Sequence, residues 1–200
     1  MKKWLIPLVI VVAIIAIAGF WFANVNNKLV KLEENVTSQW ANVESSYQRR
    51  ADLIPNIVNT AKGYAEFEQE TLTRVIEARS KATSVTIDPS NITPNQLEQF
   101  QQAQSGLTSA LSRLLATFER YPDLKANENF KELINELERT ENRINVERNR
   151  FNDQARILNT EVRQFPTTIA ASILGFERKA YFEADEGTDQ APDVEFDFSS

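Results

Sequence analysis

Apolar residues run without a charge from Trp4 to Ala23, and beyond that point they recur at three- and four-residue steps. The first pattern predicts a helix about 30 Å long, the thickness of a bilayer's hydrocarbon core. The second predicts amphipathic helices burying one face each. Leu29, Leu32, Val36, Trp40, Val43, Tyr47 and Ile54 mark the first of these, which Pro55 is expected to end or kink. Ile57, Ala61, Tyr64, Leu72 and Val75 mark a second that fades near Thr83, before the turn-rich segment Asp88-Pro89-Ser90-Asn91-Ile92. Thr93-Pro94-Asn95-Gln96 is a start signal: a Thr cap, Pro at the first helical position and Gln three residues on.

A third stripe follows, Leu97, Phe100, Leu107, Leu111, Leu114, Phe118 and Tyr121, stopped by Pro122. The fourth begins near Asn127 and carries Phe130, Leu133, Leu137, Ile144, Phe151, Leu158, Val162 and Phe165 as far as Pro166. From Thr167 to Phe182 the chain reads as a short helix or an extended lid, with Ile169, Ile173, Leu174 and Phe176 available to dock. Long helices joined by short loops favour antiparallel neighbours. The expected fold is therefore all-α: a transmembrane helix (1–24), an antiparallel long-helix bundle of the four-helix type (25–182), and an acidic, disordered tail (183–200).

Ala16-Ile17-Ala18 could be read as a signal-peptide cleavage site, but Gly19-Phe20-Trp21-Phe22-Ala23 continues the apolar run where a polar region would be expected. Trp4 and Trp21 sit near the ends of the run as interfacial aromatics do, which favours an uncleaved anchor. Gly19 and Ala23 have the small-xxx-small spacing that can pack anchors together. Lys2, Lys3 and the terminal amine precede the run and Lys28 and Lys31 follow it. An N-terminal region of this kind stays cytoplasmic, so the bundle is expected on the outer side of the membrane.

The formal charge is −6, and it is uneven. Setting aside Lys2, Lys3 and the seven acids of 183–200 leaves 20 bases against 21 acids. A near-neutral domain carries no footprint for nucleic acid. With no His and no Cys there is no Ser-His-Asp or Cys-His relay, no Glu-x-x-His metal site and no thiolate zinc site. Glu66, Glu68 and Glu70 could be imagined around a hard ion, but Glu66 and Glu70 are a surface pair in helical phase. No enzyme, cofactor or metal is expected.

Four charged residues fall in phase with the apolar stripes: Arg50, Glu68, Glu141 and Arg148. Two bases and two acids turned inward suggest an ionic layer inside the bundle, since buried charges are tolerated only when paired. That layer either fixes helix register or lines a ligand pocket. Asn142, Asn145, Asn149, Asn152, Arg156, Asn159 and Arg163 form a second polar line on the fourth helix. Asn is a poor helix former, so its repetition points to amides meeting a partner, with a solvated face as the plain alternative. The expected partners are the lipid bilayer, through residues 4–23, and another protein or a second copy of the chain. A small-molecule ligand is the lesser alternative.

The stretch from Arg49 through Arg50-Ala51-Asp52-Leu53-Ile54-Pro55-Asn56-Ile57 to Val58, with Lys62-Gly63-Tyr64-Ala65 and Glu68, resembles the signature of the bacterial LemA family. Leu29-Val30, Glu77-Ala78-Arg79, Glu119 to Leu124, Glu141-Asn142-Arg143-Ile144, Arg148 to Asn152 and Phe165-Pro166 resemble its further motifs in order. Phe67 departs from the pattern, which often has histidine there. The resemblance implies a single N-terminal transmembrane helix carrying an antiparallel helical bundle. It implies no settled activity, cofactor or catalytic residue. The expected role is a membrane-anchored scaffold or interaction protein of the bacterial envelope, or else a sensory, ligand-binding bundle.

Overall fold

In a computed structural model that describes residues 5–63, 68–89 and 91–183, every regular element is a helix. They are α1 (Leu5–Lys62), α2 (Gln69–Ser84), α3 (Pro94–Phe118), α4 (Pro122–Ala126), α5 (Glu128–Arg163) and α6 (Thr167–Leu174). Tyr64, Glu66, Phe67 and the acidic tail beyond Glu183 lie outside the described residues.

The apolar run and the first amphipathic stripe form one helix. α1 has 58 residues, a length of about 87 Å. Its N-terminal part is bare, with Ile6, Ile10, Ile14 and Ile17 all more than half exposed. From Val25 onward one face is buried, chiefly against the antiparallel α5. The expected division at residue 24 thus falls inside a continuous helix.

Pro55 does not end that helix, which runs on to Lys62. A proline removes the N–H that would bond the carbonyl four residues back, here that of Ala51. Arg79 of α2 supplies the missing donor, its Nε lying 2.7 Å from Ala51 O. Ile57 and Ala61 therefore belong to α1 rather than to the second helix, and both are fully buried.

The start of α3 follows its sequence signal: Thr93 Oγ1 accepts from Gln96 N, and the Gln96 side chain reaches back to Thr93 N. Asn127 caps α5 by accepting from Phe130 N. Phe165 is expected on the core stripe but is 81% exposed, because α5 has already ended at Arg163. The chain turns through the cis Phe165–Pro166 bond into α6, which buries Ala170 and Ala171 and leaves Ile169 and Ile173 outside. Gly175, at φ 79°, closes α6 in the left-handed conformation that glycine adopts without strain and sends the chain into an extended strap through Glu183.

The core has two apolar halves. The lower half, nearer the bare part of α1, holds Leu29, Trp40, Phe100, Phe151, Leu158 and Phe182. The upper half holds Ile54, Ile57, Val75, Leu114, Phe118 and Phe130.

Candidate functional site

The two halves meet at a polar seam around Arg50. This residue follows Tyr47 of the lower half and precedes Ile54 of the upper half, and it is 1% exposed. Gln104 stands likewise between Phe100 and Leu107, and Glu141 between Ile144 and Leu137. Arg50 Nη1 donates to Glu141 Oε1 at 2.7 Å and to Thr108 Oγ1 at 2.9 Å. Its Nη2 donates to Gln104 Oε1 at 2.5 Å, while Gln104 Nε2 donates to Ala82 O at 3.2 Å. One guanidinium and one carboxamide thus join α1, α2, α3 and α5 at a single level. Arg50 Nε is buried with no partner among the described residues.

Of the four charges expected in one layer, the structure brings together Arg50 and Glu141. Glu68 is exposed and pairs with Arg120 at 2.9 Å, since it lies before the first turn of α2 and outside the stripe. Arg148 lies on the flank of α5, where its Nη2 donates to Glu183 O at 2.7 Å and its guanidinium sits 5.1 Å from the Phe182 ring centre. Seven-residue steps from Leu137 do not find the core charge on α5. Alternating steps of three and four do: Thr140, Ile144, Glu147 and Phe151 are all buried. Glu147 accepts from Gln39 Nε2 at 2.7 Å and from Arg150 Nη1 at 3.1 Å.

The carboxamide line divides in two. Asn152 and Asn159 bind the chain's own strap, each through both amide atoms. Asn159 Nδ2 donates to Lys179 O and its Oδ1 accepts from Lys179 N, both at 2.8 Å. Asn152 does the same to Phe182 O at 2.9 Å and Phe182 N at 2.8 Å. Seven residues of helix and three of extended chain both advance about 10 Å, so the two spacings match. Lys179, itself buried, bonds Glu33 of α1 at 2.7 Å, and Phe182 stacks on Trp40 at 5.8 Å. This clamp was hidden in the sequence because a seven-residue Asn pair means little until the strap is seen. Asn142, Asn145, Asn149, Arg156 and Arg163 remain exposed.

Between α3 and α5, spanning the seam, is an open cleft of about 670 Å³. Arg50 lies at its floor, with Ser105 and Thr108 on one wall and Glu141, Asn145 and Arg148 on the other. Hydroxyls, three carboxamides (Gln101, Gln104 and Asn145) and charges of both signs give it polar groups beside the apolar Leu111, Leu115, Leu137 and Ile144. Among the described residues no three acids gather where they could hold a metal ion.

A family model described as the LemA family matches residues 39–196. Over 175 residues the chain is 27% identical to Protein LemA of Metamycoplasma hominis, covering 86% of this chain and 76% of that protein. It is 26% identical over 176 residues to Magnetosome protein MamQ 2 of Paramagnetospirillum magneticum. It is also 26% identical over 175 residues to Magnetosome protein MamQ of Magnetospirillum gryphiswaldense. Each of these two alignments covers 78% of this chain and 64% of the relative, so the chain spans just under two thirds of the MamQ proteins.

Proposed function

This chain belongs to the LemA family, and on that premise we propose that it is a membrane-anchored scaffold or interaction protein of the bacterial envelope that works without catalysis. The observation that carries this reading is the unbroken run of α1 from the bare apolar segment into the bundle. A helix without a hinge holds the bundle at a fixed height and attitude over the membrane, as a docking platform requires. The exposed amides of Asn142, Asn145 and Asn149, of which Asn145 lines the cleft, are the surface we assign to a protein partner or a second copy. The bundle faces the extracytoplasmic side, on the charge balance around the run.

A photo-crosslinking residue at Asn145 or Asn149 in cells is the test. Discrete protein adducts support the scaffold. No adduct, together with a thermal shift of the full chain on addition of a polar metabolite, favours the second reading, in which the 670 Å³ cleft over Arg50 and Glu141 takes a ligand. Protease added to spheroplasts should digest the bundle. Survival until the membrane is lysed would put it inside.

A further inference from the structure

We propose that α6 is an interfacial helix whose Ile169 and Ile173, with Phe165 just ahead of it, rest in the headgroup and upper acyl region of the bilayer. The inference depends on the reading of residues 4–23 as a membrane anchor. Phe165 is 81% exposed, Ile169 53% and Ile173 70%, and they recur at four-residue steps. Single exposed apolar residues need no explanation, but two on one side of a short apolar helix, with a third in the turn just ahead of it, do.

The register of α1 against α5 fixes their height. Glu136 meets Arg49, Glu147 meets Gln39, and Glu161 meets Lys28, so each step down α5 is matched by a step down α1. Two residues past Glu161, the end of α5 at Arg163 is level with about Asn26, about 5 Å above the end of the apolar run at Ala23. Glu161 also accepts from Thr167 Oγ1 at 3.3 Å while pairing with Lys28 at 2.7 Å, which pins the start of α6 to the same height. The strap climbs again only from Lys179, opposite Asn159. α6 therefore occupies the lowest tier of the bundle.

A second observation is independent of the register. Phe22 lies inside the apolar run, yet it is partly buried against the lower core that contains Ala170 and Ala171. A bilayer that surrounds the run up to Ala23 meets the bundle there, with no layer of water between them. Interfacial helices sink an apolar face roughly 5–10 Å into the headgroup boundary, which matches this placement. Exposed Arg163 and Lys28 stand near this level, but Lys28 is paired with Glu161, so the apolar side chains and not charge carry the argument.

The chain has no cysteine, which makes single-cysteine labelling clean. The full chain carrying Ile169→Cys or Ile173→Cys, labelled with an environment-sensitive fluorophore, would be reconstituted into phosphatidylcholine/phosphatidylglycerol vesicles. Ile14→Cys in the anchor and Ile76→Cys on α2 serve as references. Emission at Ile169 and Ile173 should shift to the blue, be quenched by doxyl groups high on the acyl chain and resist aqueous iodide, while the Ile76 label is quenched by iodide. Iodide quenching at Ile169 and Ile173 equal to that at Ile76 would overturn the proposal. So would protection from both quenchers, which would mean that a second chain covers the stripe. If the Ile14 label, at the middle of the run, also escapes doxyl groups placed deep on the acyl chain, the anchor reading falls with it. If Ile14 is quenched and α6 is not, only this inference falls.

Discussion

The two halves of the core are built differently. The upper half is packed among helices, with α2 against both α3 and α1, and its contents are aliphatic apart from Phe118 and Phe130. In the lower half an extended strap helps to close the core, and the aromatic group of Trp40, Phe100, Phe151 and Phe182 is held by directional contacts. Trp40 meets Phe100 edge-on at 5.4 Å and Phe151 at 5.6 Å, and Phe182 arrives on the strap that Asn152 and Asn159 hold. Where apolar area is abundant, burial alone fixes the structure. Where an extended strap replaces a helix, its peptide groups must be satisfied by side chains, and carboxamides do this because each donates and accepts.

That contrast is most sharply tested in the upper half. Phe130→Ala removes a fully buried ring 4.5 Å from Phe118 and should cost about 3–5 kcal/mol, read as a fall in the global midpoint of urea unfolding. At the seam, Arg50→Ala leaves Glu141 and Gln104 without their partner. It should cost about 3 kcal/mol, less than the full penalty for a buried pair because the Glu141 side chain keeps 33% of its exposure. If Arg50→Ala unfolds at the wild-type midpoint, the seam contributes nothing to stability.

Arg79→Ala should cost about 1–3 kcal/mol by stranding the Ala51 carbonyl. In a Pro55→Ala background the backbone regains its own N–H donor, so the same substitution should cost measurably less. Equal costs in the two backgrounds would show that Arg79 acts otherwise. In the lower half, Asn159→Ala should cost about 1–2 kcal/mol but act locally. Limited proteolysis should cut between Gly175 and Glu183 while the helix signal holds. Global loss of helix would mean that the two halves are not separable. Glu68→Ala, which removes an exposed pair with Arg120, should shift the midpoint by less than about 0.5 kcal/mol.

The long helices were legible because their signals are local. The Thr93–Gln96 box, the Asn127 cap and the clean stripe from Leu97 to Phe118 each depend on residues within a few positions. Pro55 reads as an end or a kink, and the end is averted because the missing donor comes from Arg79, 24 residues on and on another helix. Arg50 and Glu141 were recoverable from phase alone. Glu68 and Arg148 were not, since one lies before the first turn of α2 and the other on the flank of α5. Phase errors of one residue turn a side chain by about 100°, enough to move it from core to rim. Lys179 and the Asn152–Asn159 clamp lay beyond any local signal, because the strap that they hold has no period of its own.

The continuity of α1 also sets an azimuth. A flexible tether would let the bundle swivel, whereas here every residue added or removed between Ala23 and Val25 would turn it by about 100° about the helix axis. Gly19 and Ala23 sit on the bare part of the same rod, with nothing within 4 Å of where a Cβ on Gly19 would stand. Two chains that paired along those small residues could not choose freely which sides of their bundles meet. Torsional phase, written in the number of residues between Gly19 and Arg50, would decide which clefts and amides come face to face.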